Sequence, residues 1–150
     1  QARALWLLTK LPGKETDYLQ KALTSANPDL RLVGIRAARQ TAGVKLARLL
    51  LPLAADPDPM VRREVAVALR FDGSPEASQL WASLARQHDG TDRFYLEALG
   101  IGADRYADAR LDAYLKAVGD DWNTPGARDI LWRSRPEKAL PCLADIIRAQ

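Results

Sequence analysis

A chain of 150 residues with 47% hydrophobic and 27% charged side chains fits one globular domain with a core of its own. Its single cysteine, Cys142, excludes an intrachain disulfide and a thiolate metal cluster. The net charge of +3 is divided unevenly, residues 1–75 carrying +5 and residues 76–150 carrying −2, so a nucleic-acid argument falls only to the first half.

From the N-terminus, Ala4, Leu5, Leu7, Leu8 and Leu11 predict a helix near 2–11, Pro12-Gly13 breaks it, and Tyr18, Leu19, Ala22 and Leu23 predict a second near 14–25. Asn27-Pro28-Asp29-Leu30-Arg31 then spells a helix opening. A short side chain accepts hydrogen bonds from free N–H groups, and Pro takes the first helical position, where its missing N–H costs nothing. This helix is expected to reach about Arg39, to break at Gly43 and to resume over 44–55. Asp58-Pro59-Met60-Val61-Arg62 repeats the opening, with helices expected over 59–70 and from Pro75 to about Gln87 around an Asp72-Gly73 break. Asp89-Gly90-Thr91-Asp92-Arg93 reads as a third opening, followed by a helix from Asp92 to about Leu99, a loop at Gly100-Ile101-Gly102 and a helix near 107–118. Thr124-Pro125-Gly126-Ala127-Arg128 is the fourth; a break near Pro136 and a last helix over 138–149 follow. Gly119-Asp120-Asp121-Trp122 makes the junction before it longer than the others and predicts a local departure from regular stacking.

The four arginines of these openings are 31, 31 and 35 residues apart. Recurrence at about 30 to 40 residues marks a stacked helical-repeat array, in which each hairpin buries its second face on its neighbours. The expected architecture is all-α, one domain over 1–150 with approximate repeats at 1–26, 27–57, 58–88, 89–123 and 124–150. The pattern (Asp or Asn)-Pro-x-(Leu or Val)-Arg before an Ala-rich apolar helix resembles the HEAT repeat, best at Asn27–Arg31 and Asp58–Arg62. That resemblance implies a right-handed α-α superhelix of about five hairpins whose second (B) helices line a concave side. A second resemblance runs through 93–103, 127–135 and 139–141. It is similar to a segment of large bacterial proteins described as membrane-bound dehydrogenases, which join a sorbosone-dehydrogenase-like propeller, a HEAT array and a c-type haem module. On that likeness this chain is the spacer array and lies outside the cytoplasm. The haem-attachment pattern Cys-x-x-Cys-His does not occur in it, so neither haem nor dehydrogenase chemistry is assigned.

Candidate residues follow. Arg31, Arg62, Arg93 and Arg128 are expected to form a ladder to carboxylates or carbonyls of neighbouring repeats, with Asp29, Asp58, Asp89 and Asp92 in reach and Arg63 in solvent. Exposed B-helix positions Lys45, Arg48, Gln79, Arg86, Asp112, Lys116, Asp145 and Arg148 are the candidate concave-face binding residues. Arg36, Arg39, Lys45, Arg48, Arg62, Arg63 and Arg70 carry the alternative, a nucleic-acid-binding array, or an enzyme like the HEAT-like alkylpurine DNA glycosylases. These cations are divided between helices facing opposite sides, whereas backbone binding needs several from one face. Trp6, Trp81 and Trp132 lie in apolar stretches and are expected in the core, leaving Trp122 for surface recognition. His88 has no second histidine or cysteine nearby for a metal. Asp56-Pro57-Asp58-Pro59 reads as a turn, and Asp104, Asp108 and Asp112 as a mixed-charge helix face. No glycine-rich phosphate loop and no nucleophile–base pair is present.

The resulting expectation is a non-catalytic protein-interaction or spacer scaffold within a larger bacterial protein, monomeric, with no cofactor and no metal. Its partners are expected to be proteins or flanking domains of the same polypeptide rather than nucleic acid. The most apolar window, Leu46–Ala55, is too short for a membrane span and contains Arg48 and Pro52. The chain opens on Gln1 inside an apolar helical pattern and reads as an excised piece of something longer.

Overall fold

Ten α-helices follow one another in the computed structural model, which describes residues 2–41 and 45–148, and no strand occurs among those residues. They are α1 (Ala2–Leu8), α2 (Glu15–Leu23), α3 (Pro28–Thr41), α4 (Leu46–Leu50), α5 (Pro59–Ala68), α6 (Pro75–Ala85), α7 (Arg93–Ala103), α8 (Ala107–Val118), α9 (Pro125–Arg133) and α10 (Leu140–Arg148). The odd-numbered helices stack in one layer, each on the next, and α4, α6 and α8 stack in a second. One continuous core runs between the layers from Leu19 to Ala139, with Ile35, Leu50, Val61, Leu69, Leu84, Leu99 and Leu131 wholly buried. Each such aliphatic side chain contributes roughly 1.5–3 kcal/mol on burial. The break expected at Gly43 and the helix end at Ala149 lie outside the described residues.

Local chemistry sets the openings. The side chains of Asn27, Asp58, Ser74, Asp92 and Thr124 accept from Asp29, Met60, Ala77, Tyr95 and Ala127 N–H groups at 2.7 to 3.3 Å. Pro59, Pro75 and Pro125 occupy the first turn. Pro52 tightens the end of α4 into a 3-10 helix over Leu51–Ala55.

Three expectations are corrected. The helix of the fourth unit starts where expected, but its cap is Asp92 and not Asp89, which closes a turn onto Thr91 beside Gly90 at φ +91°. The loop expected at Gly100-Ile101-Gly102 is helix, and α7 continues to Ala103. A Cβ at Gly102 would collide with the Ala66 carbonyl oxygen, so these glycines let α7 approach its neighbours rather than end it. Third, Trp132 is 77% exposed, whereas Trp122 is partly buried against the core. Trp122 belongs to a 3-10 segment, Gly119–Asn123, that packs on both α8 and α9. Beyond that segment α10 packs chiefly on α9 and the short turn before it.

Candidate functional site

Arginines bind the units together, in a pattern only partly legible in the sequence. Arg31 and Arg62 sit four residues after their caps, and each turns back on its own interhelix loop. The Nη1 of Arg31 donates to the Ser25 and Ala26 carbonyls at 2.8 and 3.2 Å, and that of Arg62 to Asp56 and Pro57 at 2.6 and 3.3 Å. Only Arg31 adds a carboxylate across the repeat: Nε and Nη2 both donate to buried Asp56 at 2.7 Å, which raises the Arg31 pKa. Asp56, not Asp29 or Asp58, is thus its partner. Arg128 bonds Asn123 at 2.8 Å. Arg93, displaced to the first residue of α7, lies 85% exposed and reaches only Glu97 of its own helix. Arg63 is not in solvent. It crosses to Asp92 on the next unit, and the two side chains are 24% and 32% exposed.

Further pairs repeat that crossing. Arg36 donates to Glu64, Arg48 to Glu76 and Arg133 to Glu97 at 2.7 to 3.1 Å, while Arg70 lies 3.5 Å from Asp104. Most of the basic cluster is therefore engaged with carboxylates of the following unit. Its cations are distributed along the stack rather than gathered on one face.

Four of the candidate concave-face residues come together. Gln79 and Arg86 of the α6 region and Asp112 and Lys116 of α8 rim a groove of about 650 Å³. Its floor is small: Ser78 and Ala82 from one helix, Ala109, Ala113 and Ala117 from the other. Asp112 is held by Lys138 at 2.8 Å, which also lies 3.3 Å from Asp108. Arg48 is engaged with Glu76 in a neighbouring recess that Gln79 shares. Lys45 lines a separate cleft with Glu15 and Gln40, and Asp145 and Arg148 pair with each other on α10 at 3.1 Å.

Sequence reading passed over Arg110. This guanidinium is wholly buried, donating to Ser78 Oγ at 2.8 Å and to the Leu69 and Asp72 carbonyls at 3.0 and 2.6 Å. Desolvation pushes its pKa down to about 10, so it stays charged at neutral pH. The one available signal was its place beside Leu111 and four residues before Tyr114, on the apolar face of α8. His88 is also buried. Its Nε2 lies 3.0 Å from Asp129 Oδ2, and its ring packs against Tyr95, whose hydroxyl donates to Leu84 and whose pKa burial raises to about 12. Among the described residues no three His, Cys, Asp or Glu side chains are placed to share a metal ion.

A stack of antiparallel helix pairs, opened by capped prolines and tied by arginines, is what a repeat family would produce. The family model for HEAT repeats matches residues 16–100, more than half of the chain. The chain belongs to the HEAT-repeat family. HEAT repeats generally serve as protein-interaction scaffolds and are typically non-enzymatic. No curated protein and no solved structure matched in the same comparisons. No described helix of this HEAT array is long and apolar enough to cross a membrane.

Proposed function

We propose that the chain is a non-catalytic interaction or spacer array whose α6–α8 groove holds a segment of a partner protein, or of a flanking domain of the same polypeptide. The groove carries the reading. Small side chains on its floor let another backbone approach closely, and Gln79, Arg86 and Lys116 supply polar contacts at its rim. The pairing of Arg36, Arg48, Arg63 and Arg70 with carboxylates favours this over a nucleic-acid role, since each paired cation is less free for phosphate.

The test is selection of displayed peptides on the whole chain, followed by binding to an Ala113→Arg variant that fills the groove. Peptides that bind the wild-type chain and lose at least about tenfold in affinity for the variant support the groove. Peptides that bind both equally, or a selection that enriches none, would remove it.

A further inference from the structure

At the opposite end of α5 from Arg62, the turn into α6 carries a second surface. Phe71 is 60% exposed there. The guanidinium carbons of Arg70 and Arg105 each stand 5.4 Å from its ring centroid. Arg39, from the preceding repeat, lines the same recess of about 310 Å³ as Phe71. Beneath the turn lies Arg110, charged and held by carbonyls and a hydroxyl. Against these four cations stand two carboxylates. Asp72 has both oxygens engaged by backbone, accepting from Ala47 and Ser74 N–H groups at 3.3 and 3.0 Å. Asp104 stands 3.5 Å from Arg70. Arg39 and Arg105 have no carboxylate partner among the described residues.

We propose that this turn docks an acidic peptide segment of a partner protein, an apolar side chain resting on Phe71 while adjacent carboxylates are held by Arg39 and Arg105. Guanidinium groups match planar carboxylates with paired hydrogen bonds, and an aromatic ringed by arginine is the composition of an interface anchor. The positive potential draws carboxylates, and the exposed ring provides apolar area that a polyphosphate would leave uncovered. A nucleic-acid backbone fits less well. Only three guanidinium groups reach the surface, with two carboxylates among them, against the roughly six to ten phosphate contacts of an avid binder. The site does not depend on occupation of the α6–α8 groove.

The experiment is fluorescence anisotropy of the whole chain with a labelled peptide alternating Asp-Glu pairs with Leu, its Asn-Gln analogue, and oligo-dT. Saturable binding of the acidic peptide is expected, weakened at least about tenfold by Arg105→Glu and by Phe71→Ala, and unchanged in Ala113→Arg. Both test side chains are exposed, and circular dichroism checks that each variant is folded. Several results overturn the site: no saturable binding, equal affinity for the Asn-Gln analogue, or indifference to both turn variants. Loss in Ala113→Arg alone would move the peptide to the groove. Tighter binding of oligo-dT that Arg105→Glu abolishes would make the turn a nucleic-acid site instead.

Discussion

Adjacent arginines in one helix do different work. Arg62 satisfies the loop carbonyls behind it, and Arg63 reaches Asp92, the cap of α7 in the next unit. Replacing either by Ala is expected to cost about 1–2 kcal/mol, discounted for partial exposure. The equal cost replaces the expectation, drawn from placing Arg63 in solvent, that Arg62→Ala destabilises more than Arg63→Ala. Acid separates the two. The hydrogen bond from Arg63, with Tyr95 N–H, holds the Asp92 carboxyl below its ordinary value. A depressed carboxylate stabilises the fold above its unfolded pKa of about 4, and that stability is lost as pH falls through the folded value. The melting temperatures of wild type and Arg63→Ala should therefore converge as pH drops from 7 towards 3, while Arg62→Ala keeps its distance. Parallel behaviour of both variants in such a series would deny the Arg63–Asp92 link. Arg110→Met is a harsher change, leaving the Asp72 carbonyl and the Ser78 hydroxyl without this donor, while the Leu69 carbonyl keeps the Asp72 N–H. It is expected to cost about 2–4 kcal/mol. Chemical denaturation showing less than about 1 kcal/mol would mean that water replaces the guanidinium there.

At the scale of elements, helix α7 shows how packing overrides propensity. Two glycines within three residues read as a loop, since each weakens an isolated helix by about 1 kcal/mol. Here they remain helical in a packed setting: the backbone of α5 at Ala66 leaves no room for a side chain at Gly102, and the Arg133 guanidinium of α9 lies against Gly100. Gly102→Ala should accordingly lower stability by about 1–3 kcal/mol despite the higher helix propensity of Ala. A stabilised variant in thermal melts would contradict the close approach to Ala66. The tryptophans give a second element-scale contrast. Trp132→Ala should leave the melting temperature almost unchanged, whereas Trp122→Ala should lower it by loosening the segment between α8 and α9. Collisional quenching by iodide checks the same assignment, because most of the quenchable emission should disappear with Trp132.

Over the whole molecule, the cross-repeat ion pairs bear on what the array can hold. With a net charge of +3 and most first-half arginines paired, the isolated chain is expected to show no measurable affinity for duplex DNA at physiological salt. A salt titration decides it. Micromolar binding that persists near 150 mM salt, and that Arg36, Arg39 and Arg70 changed together to Glu abolish, would reverse the order of the two readings.

The helical class and the openings at Asn27, Asp58 and Thr124 were legible in the residues alone, because capping and proline placement are chemistry between near neighbours. The cap of the fourth opening was not, although its helix start was. Asp89 and Asp92 can both accept backbone N–H groups, and the choice of Asp92 goes with its partner Arg63 on α5 of the preceding unit. Of the candidate binding residues, the pattern showed which lay on the second helices. It could not show that Gln79, Arg86, Asp112 and Lys116 would share one groove, while Lys45, Asp145 and Arg148 lie apart. That depends on how closely α8 settles on α6, which the Ala and Ser floor permits. The burial of Arg110 and the exposure of Phe71 and Trp132 were equally hidden, since an arginine can be either a surface charge or a buried donor. Near-neighbour chemistry determined where helices begin. Only the packing of one repeat on the next decided which side chains became core, groove or docking surface, because each hairpin completes its buried face with atoms far away in the chain.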